Sequence, residues 1–211
     1  MPWFRLLVVL VLAALWPVRL GAQAVLEPPL GLHWGDSPEK LVAWASRHAL
    51  DVVVSLPGDQ PALRVLRVSA RQGFLPGMQA GTVEARFLGG RLFEVALDYA
   101  DPSAPAQVIE TRFEKLKRQL TAEYGALTPN RGDTTVDDGF ATRRISLHRE
   151  PVRGLFLLLA FTEVEDTLRK SREARFSLLY RNDNLRRQVE ADLAREAVPD
   201  KAPPGAPQVG G

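Results

Sequence analysis

The chain of 211 residues contains no cysteine, so it forms no internal disulfide and offers no thiol for lipid attachment. An ordinary apolar core must supply its stability, which about 170 ordered residues can do. No Asn-x-Ser/Thr triplet occurs, which removes the acceptor for N-glycosylation. Histidine is scarce: the three are His33, His48 and His148. No apolar run approaches the about 20 residues that a membrane-spanning helix needs. The longest covers residues 6–15, and the next, residues 155–160, fits a buried strand.

What is present at the start of the chain reads as an address. Arg5 precedes the apolar run, Pro17 and Arg19 close it, and Ala22 and Ala24 flank Gln23 in the small-x-small order that a signal peptidase reads. The sequence therefore predicts a signal peptide over residues 1–24, cleaved after Ala24, and a periplasmic or secreted mature chain. The alternative is a retained signal anchor. The chain carries 27 Lys+Arg and 25 Asp+Glu, and only Arg5 and Arg19 lie in the leader. The mature chain is thus charge-balanced, and its composition argues against a nucleic-acid partner. Absent disulfides and sequons favour a bacterial envelope over an animal extracellular fluid.

Residues 25–197 read as a single α+β domain, and the Pro- and Gly-rich residues 198–211 as a disordered tail. The first helix opens around Asp36, Ser37 and Pro38. Either Ser37 caps it with Pro38 at the first helical position, or Asp36 caps it with Glu39 reaching back. Leu41, Trp44, Ala45 and His48 continue at helical spacing, and a strand follows over residues 63–69. Val83, Ala85 and Phe87 alternate, as do Phe93, Val95, Leu97 and Tyr99. A two-residue turn at Gly89 and Gly90 would put these rows on opposite faces. A three-residue turn from Leu88 to Gly90 is therefore expected, pairing Ala85 with Phe93.

Ile109, Phe113, Leu116, Leu120 and Tyr124 form one helical stripe that ends at Gly125. A polar connection over residues 127–139 comes next. A hairpin over residues 140–149 and 152–162, a strand over 173–181 and a helix carrying Leu185, Val189 and Leu193 complete the order. The expected architecture is thus helix–three-strand units in tandem, with helices packed on one face of an antiparallel sheet. Residues 31–100 and 101–197 read as diverged halves.

The Gly31, Gly35 and Ser37 opening, the hairpin over residues 87–92, and Leu116, Leu120, Tyr124 and Gly125 carry a resemblance. They resemble small exported bacterial proteins of uncharacterised function with a Gly-x-x-x-Gly-x-Ser opening and a Tyr-Gly helix end. The chain is also distantly similar to the β-lactamase-inhibitor-protein fold and to outer-membrane assembly lipoproteins, which set helices against a three- or four-stranded sheet. It departs from the lipoproteins in lacking the lipidated cysteine, and from both in showing one helix, not two, before its first strands. The resemblance implies an envelope binding module and carries over no functional residue.

Several motifs suggest chemistry and fail on inspection. Gly35, Asp36 and Ser37 match the opening of a class of serine esterases, but no histidine follows an aspartate by three positions. Ser37 and Lys40 spell Ser-x-x-Lys without its partner motifs. Asp133, Asp137 and Asp138 lack the alternate acids of a calcium loop, since Thr134 and Val136 take those places. Arg131, Gly132 and Asp133 form a tripeptide that arises easily by chance. No catalytic residue, metal ligand or cofactor site is assigned.

A surface row remains. Arg144, Ser146 and His148 share the parity opposite Ile145 and Leu147, a composition that suits an anionic ligand as well as a wet sheet face. Residues 143–187 hold eleven bases against six acids, an excess that could attract lipopolysaccharide or acidic phospholipid. The expected function is a non-catalytic exported module that binds an envelope protein or an anionic envelope component. A hydrolase whose site assembles only in three dimensions and a small-ligand or lipid carrier are the alternatives.

Overall fold

The computed structural model describes residues 25–197; the expected leader and tail lie outside them. Among the described residues the chain forms three helices and eight strands. These are α1 (Pro38–Arg47), β1 (Asp51–Ser55), β2 (Leu63–Ser69), β3 (Thr82–Leu88) and β4 (Arg91–Asp98), then α2 (Ala106–Tyr124), β5 (Thr128–Asp137), β6 (Phe140–Val152), β7 (Leu155–Asp166), β8 (Ser171–Asn182) and α3 (Asp183–Glu196). All strands join one antiparallel sheet in the order β1-β2-β3-β4-β8-β7-β6-β5. Two four-stranded meanders, each preceded by a helix, thus meet at their fourth strands. The α+β expectation holds in this form. Each unit has four strands, however, because β1 and β5 add the sheet's two edges.

A single row shows why the inner face is apolar. Val52, Val68, Val83, Leu97, Leu178, Leu159 and Leu147 stand in register across seven strands. All but Val52 are buried, and Val52 packs against the core at half-exposure. Helix α2 covers the second meander from this side. Its Phe113 ring sits 5.0 Å from Phe161 and 5.9 Å from Phe176, and Phe176 stacks on Tyr99 at 4.4 Å. Each such pair adds about 0.5–1.5 kcal/mol beyond its area.

Two arginines on the same face of β6 clamp α2. Arg143 reaches Glu110 at 2.9 Å and Glu163 at 3.4 Å, while Arg149 donates from Nε to the Tyr124 carbonyl at 3.1 Å. The second contact places a cation at a helix C-terminus, where exposed carbonyls favour it. Glu163 is almost fully buried and is also met by Arg172 Nε at 2.6 Å.

The β3–β4 turn differs from the sequence expectation. Leu88 pairs with Arg91, so the loop is the two-residue Gly89-Gly90, both with positive φ. Phe87 faces Leu92 and Arg86 faces Glu94, which leaves Phe93 as an extra residue on β4. This bulge restores the parity that a two-residue turn would have broken, and Ala85 pairs with Val95 in place of Phe93. The short turn also suits α3, which packs across the ends of β3, β4 and β7. A Cβ on Gly89 would lie 2.9 Å from Val189 Cγ1. Asn182 caps α3, its side chain accepting from the Leu185 N–H at 2.9 Å.

Two outcomes are expected. Gly89→Ala should cost about 1–3 kcal/mol, because φ of +54° and the Val189 contact both oppose a side chain; a urea midpoint within error of the parent would contradict the packing. Burial pushes the Tyr99 hydroxyl up to about 12 and raises Tyr180 as well, with neighbouring Tyr99, Tyr124 and Glu123 adding to the latter. The unfolded chain ionises these groups near pH 10, so stability should hold below that pH and fall as pH rises towards about 12. Absorbance at 295 nm should show delayed tyrosinate formation in the folded protein.

Candidate functional site

The face of the sheet turned away from α1 and α2 is the candidate site. Strand alternation puts every second residue of β6, β7, β8 and β4 there, and the register aligns them in rows. Arg144, Thr162 and Arg175 form one row. Ser146, Ala160, Ser177 and Asp98 form the next, and His148, Leu158, Leu179 and Ala96 the one after. Arg144, Ser146 and His148 therefore share the outer face, as their parity predicted.

These three side chains have different surroundings. The Ser146 hydroxyl accepts from the Asn130 amide at 3.2 Å. His148 stacks on Phe156, with centroids 5.8 Å apart and planes 21° from parallel. Its Nδ1 is buried and lacks a hydrogen-bond partner among the described residues. Arg144 is exposed, and its register partner on β5, Asp133, is already bridged at 2.6 Å by Arg131.

The sequence did not reveal that Arg175 belongs with this set. It stands in line with Arg144 across Thr162, on a strand far away in sequence. Neither guanidinium meets a carboxylate, carbonyl or aromatic ring among the described residues. The other arginines of β6 and β8, namely Arg143, Arg149, Arg172 and Arg181, are all engaged. A cleft of about 310 Å³ lined by Asp98, Ala160, Thr162, Arg175 and Ser177 adjoins one of about 450 Å³ that runs past Ala100, Pro102 and Val164. The two share Thr162 and Arg175. Asp101, at the rim of the larger cleft, is engaged by Ser103 and Arg112, and these hydrogen bonds hold its carboxyl below the usual range.

Two rows from the arginines, beyond Ser146, Ser177 and Asp98, the outer face turns apolar. Phe156, Leu158, Ala160, Leu179 and Ala96 are half-buried, whereas their inner-face neighbours Leu157 and Leu159 are fully buried. At the α3 end, Arg181 lies 5.0 Å over the Phe156 ring and Glu94 sits among Arg86 and Arg181. Burial raises the Glu94 carboxyl, and those arginines oppose the shift.

The other sequence candidates lie elsewhere. Ser37 occupies the N-cap position of α1 with Pro38 following, and its hydroxyl bonds Glu39 instead of capping the helix. Asp36 accepts from the His33 N–H at 2.8 Å and from Lys40 at 2.6 Å. Its modest burial works to raise the carboxyl, but these bonds hold it below its ordinary value. His33 Nδ1 is 3.8 Å from Asp36 and largely exposed, and no histidine meets Ser37. His48 packs on Trp44 at the end of α1, with centroids 5.3 Å apart. Trp34 donates from its indole to the Leu26 carbonyl at 2.7 Å. Asp133, Asp137 and Asp138 lie along β5 and its turn, and no cluster of three metal-ligating side chains occurs among the described residues. No described helix is long and apolar enough to cross a membrane.

No family model matches the chain, and no curated protein or solved structure matches it either. Its site is therefore read from its own geometry. Because the Ser37 hydroxyl does not cap α1, Ser37→Ala should leave the far-ultraviolet circular dichroism and the urea midpoint within error of the parent; a loss of about 1 kcal/mol or more would show that the hydroxyl caps the helix.

Proposed function

We infer that the protein is an exported, non-catalytic binding module that holds an anionic amphiphile of the cell envelope on its outer sheet face. One observation carries the reading: Arg144 and Arg175, both without partners, flank Thr162 in one row, with an uncovered apolar strip two rows away. A phosphate or carboxylate between the guanidiniums would satisfy both cations, because the planar guanidinium suits such oxygens. The acyl part would then lie along Ala160, Leu158, Leu179 and Ala96. Burying that strip removes apolar area from water at roughly 25 cal/mol per Å². The leader-like residues 1–24 support an envelope location, and the clefts at Thr162 leave room for a headgroup.

The test compares two single-chain lipids that differ only in headgroup, lysophosphatidylglycerol and lysophosphatidylcholine, by calorimetry below their micellar concentrations. The anionic lipid should bind and the zwitterionic one should not. Added salt should weaken binding, since exposed charges are screened within about 8–10 Å at 0.1–0.15 M. Arg144→Glu together with Arg175→Glu should cut affinity about tenfold or more, the equivalent of about 1.4 kcal/mol. Equal binding of both lipids, or none of either, would overturn the reading.

A further inference from the structure

The outer face is flanked by two strand edges, and they are built differently. β5 carries Pro129 and Gly132, a register irregularity between Pro129 and Arg131, and the Arg131–Asp133 ion pair. Prolines, bulges and charges are the usual means by which an edge is kept from pairing with another chain. β1 carries no proline and no register irregularity, and its one charge stands at its first residue, where Asp51 meets Arg71 at 3.1 Å. Its sequence is Asp-Val-Val-Val-Ser, it keeps regular register with β2, and Val53 and Val54 are 58% and 55% exposed.

The direction of its free backbone groups follows from the neighbouring pair. Gly89 donates to the Ala62 carbonyl and Ala70 to the Gly81 carbonyl, at the two ends of the β2–β3 ladder. The even-numbered residues of β2 therefore bond β3, and Val65, Arg67 and Ser69 bond β1 through Ser55, Val53 and Asp51. Val52 and Val54 are left with their N–H and C=O groups directed away from the sheet. Beside them, α1 leaves an apolar groove of about 360 Å³ between Val42 and Ala43 on the helix and Val54 and Leu66 on the sheet.

We propose that β1 is the pairing edge of a two-fold homodimer, in which β1 of one copy adds antiparallel to β1 of a second and the two sheets become continuous. The strand matches itself. With Val53 at the two-fold axis, Val52 of each copy exchanges both backbone bonds with Val54 of the other, using the outward groups. Asp51 then lies opposite Ser55, so no like charges face each other, and Val53 meets its own counterpart. The valines on the helix side carry the apolar surface of one groove on to that of the other. A second copy fits this edge because the valine run and its free groups are symmetric about a single residue. The proposal stands apart from the outer-face ligand, since β1 contributes nothing to the Arg144–Thr162–Arg175 row.

Sedimentation velocity on protein purified from cells expressing the full-length chain tests it. The protein should be dimeric at roughly 100 μM and dissociate on dilution. Val53→Lys sets two ammonium groups against each other at the axis and should weaken the dimer about tenfold or more. Val54→Pro should do the same by removing one outward donor while sparing the bonds to β2. Val136→Lys, on the opposite edge and 74% exposed, should leave the dimer intact. Should the β1 variants fail to fold, amide exchange on the parent supplies the same answer: Val52 and Val54 should be protected at high concentration and exchange quickly when dilute. A parent that stays monomeric at that concentration, a dimer that survives both β1 substitutions, or exchange at these amides that ignores concentration would each overturn the proposal.

Discussion

The pairing of β4 with β8 is the constraint on which the rest of the structure depends. It is the strand contact that joins the two meanders, running from Glu94 opposite Arg181 to Asp98 opposite Ser177. On the inner face it brings Val95 to Tyr180 and Leu97 to Leu178, fusing two apolar rows into one core. On the outer face it brings Ala96 to Leu179, extending the apolar strip beyond the second meander. The backbone bonds matter less individually than this alignment, because a one-residue slip would exchange the two faces of half the sheet.

Much of this fold was legible in the sequence, and the failures have physical causes. The apolar stripe from Ile109 to Tyr124 specified α2, and Leu63–Ser69 specified β2, because one face of each is buried and the pattern records it. β1 and β5 left no such record. Edge strands exposed on most positions carry no alternation, so Thr128–Asp137 reads as a polar connection although it pairs along its length with β6. The β3–β4 turn failed differently. Alternation gave the right faces, but a three-residue turn and a two-residue turn followed by a bulge meet that demand equally. The close approach of Val189 to Gly89, which favours the tight form, is a tertiary contact that no local pattern encodes.

The candidate site divides along the same line. Arg144, Ser146 and His148 lie on one strand, and their shared parity could be read directly. Arg175 could not be added, since its place beside Thr162 depends on the register of both β6–β7 and β7–β8. Parity also separates arginines that composition treats alike. Arg143 and Arg149 point to the inner face and fasten α2 through Glu110, Glu163 and the Tyr124 carbonyl. Arg144, between them, points outward and is left free. The basic excess over residues 143–187 is thus partly structural cement and partly unspent charge.

The late arrival of β8 bears on how the chain reaches its native state. β4 is complete at Asp98, but its neighbour begins only at Ser171, so residues 99–170 must be synthesised first. Until then the first meander is a partly formed sheet with open edges on both sides. Contacts so far apart in sequence slow folding, and uncovered edges invite association with other nascent chains. The two meanders can close into one sheet only once Ser171–Asn182 is available to pair with β4.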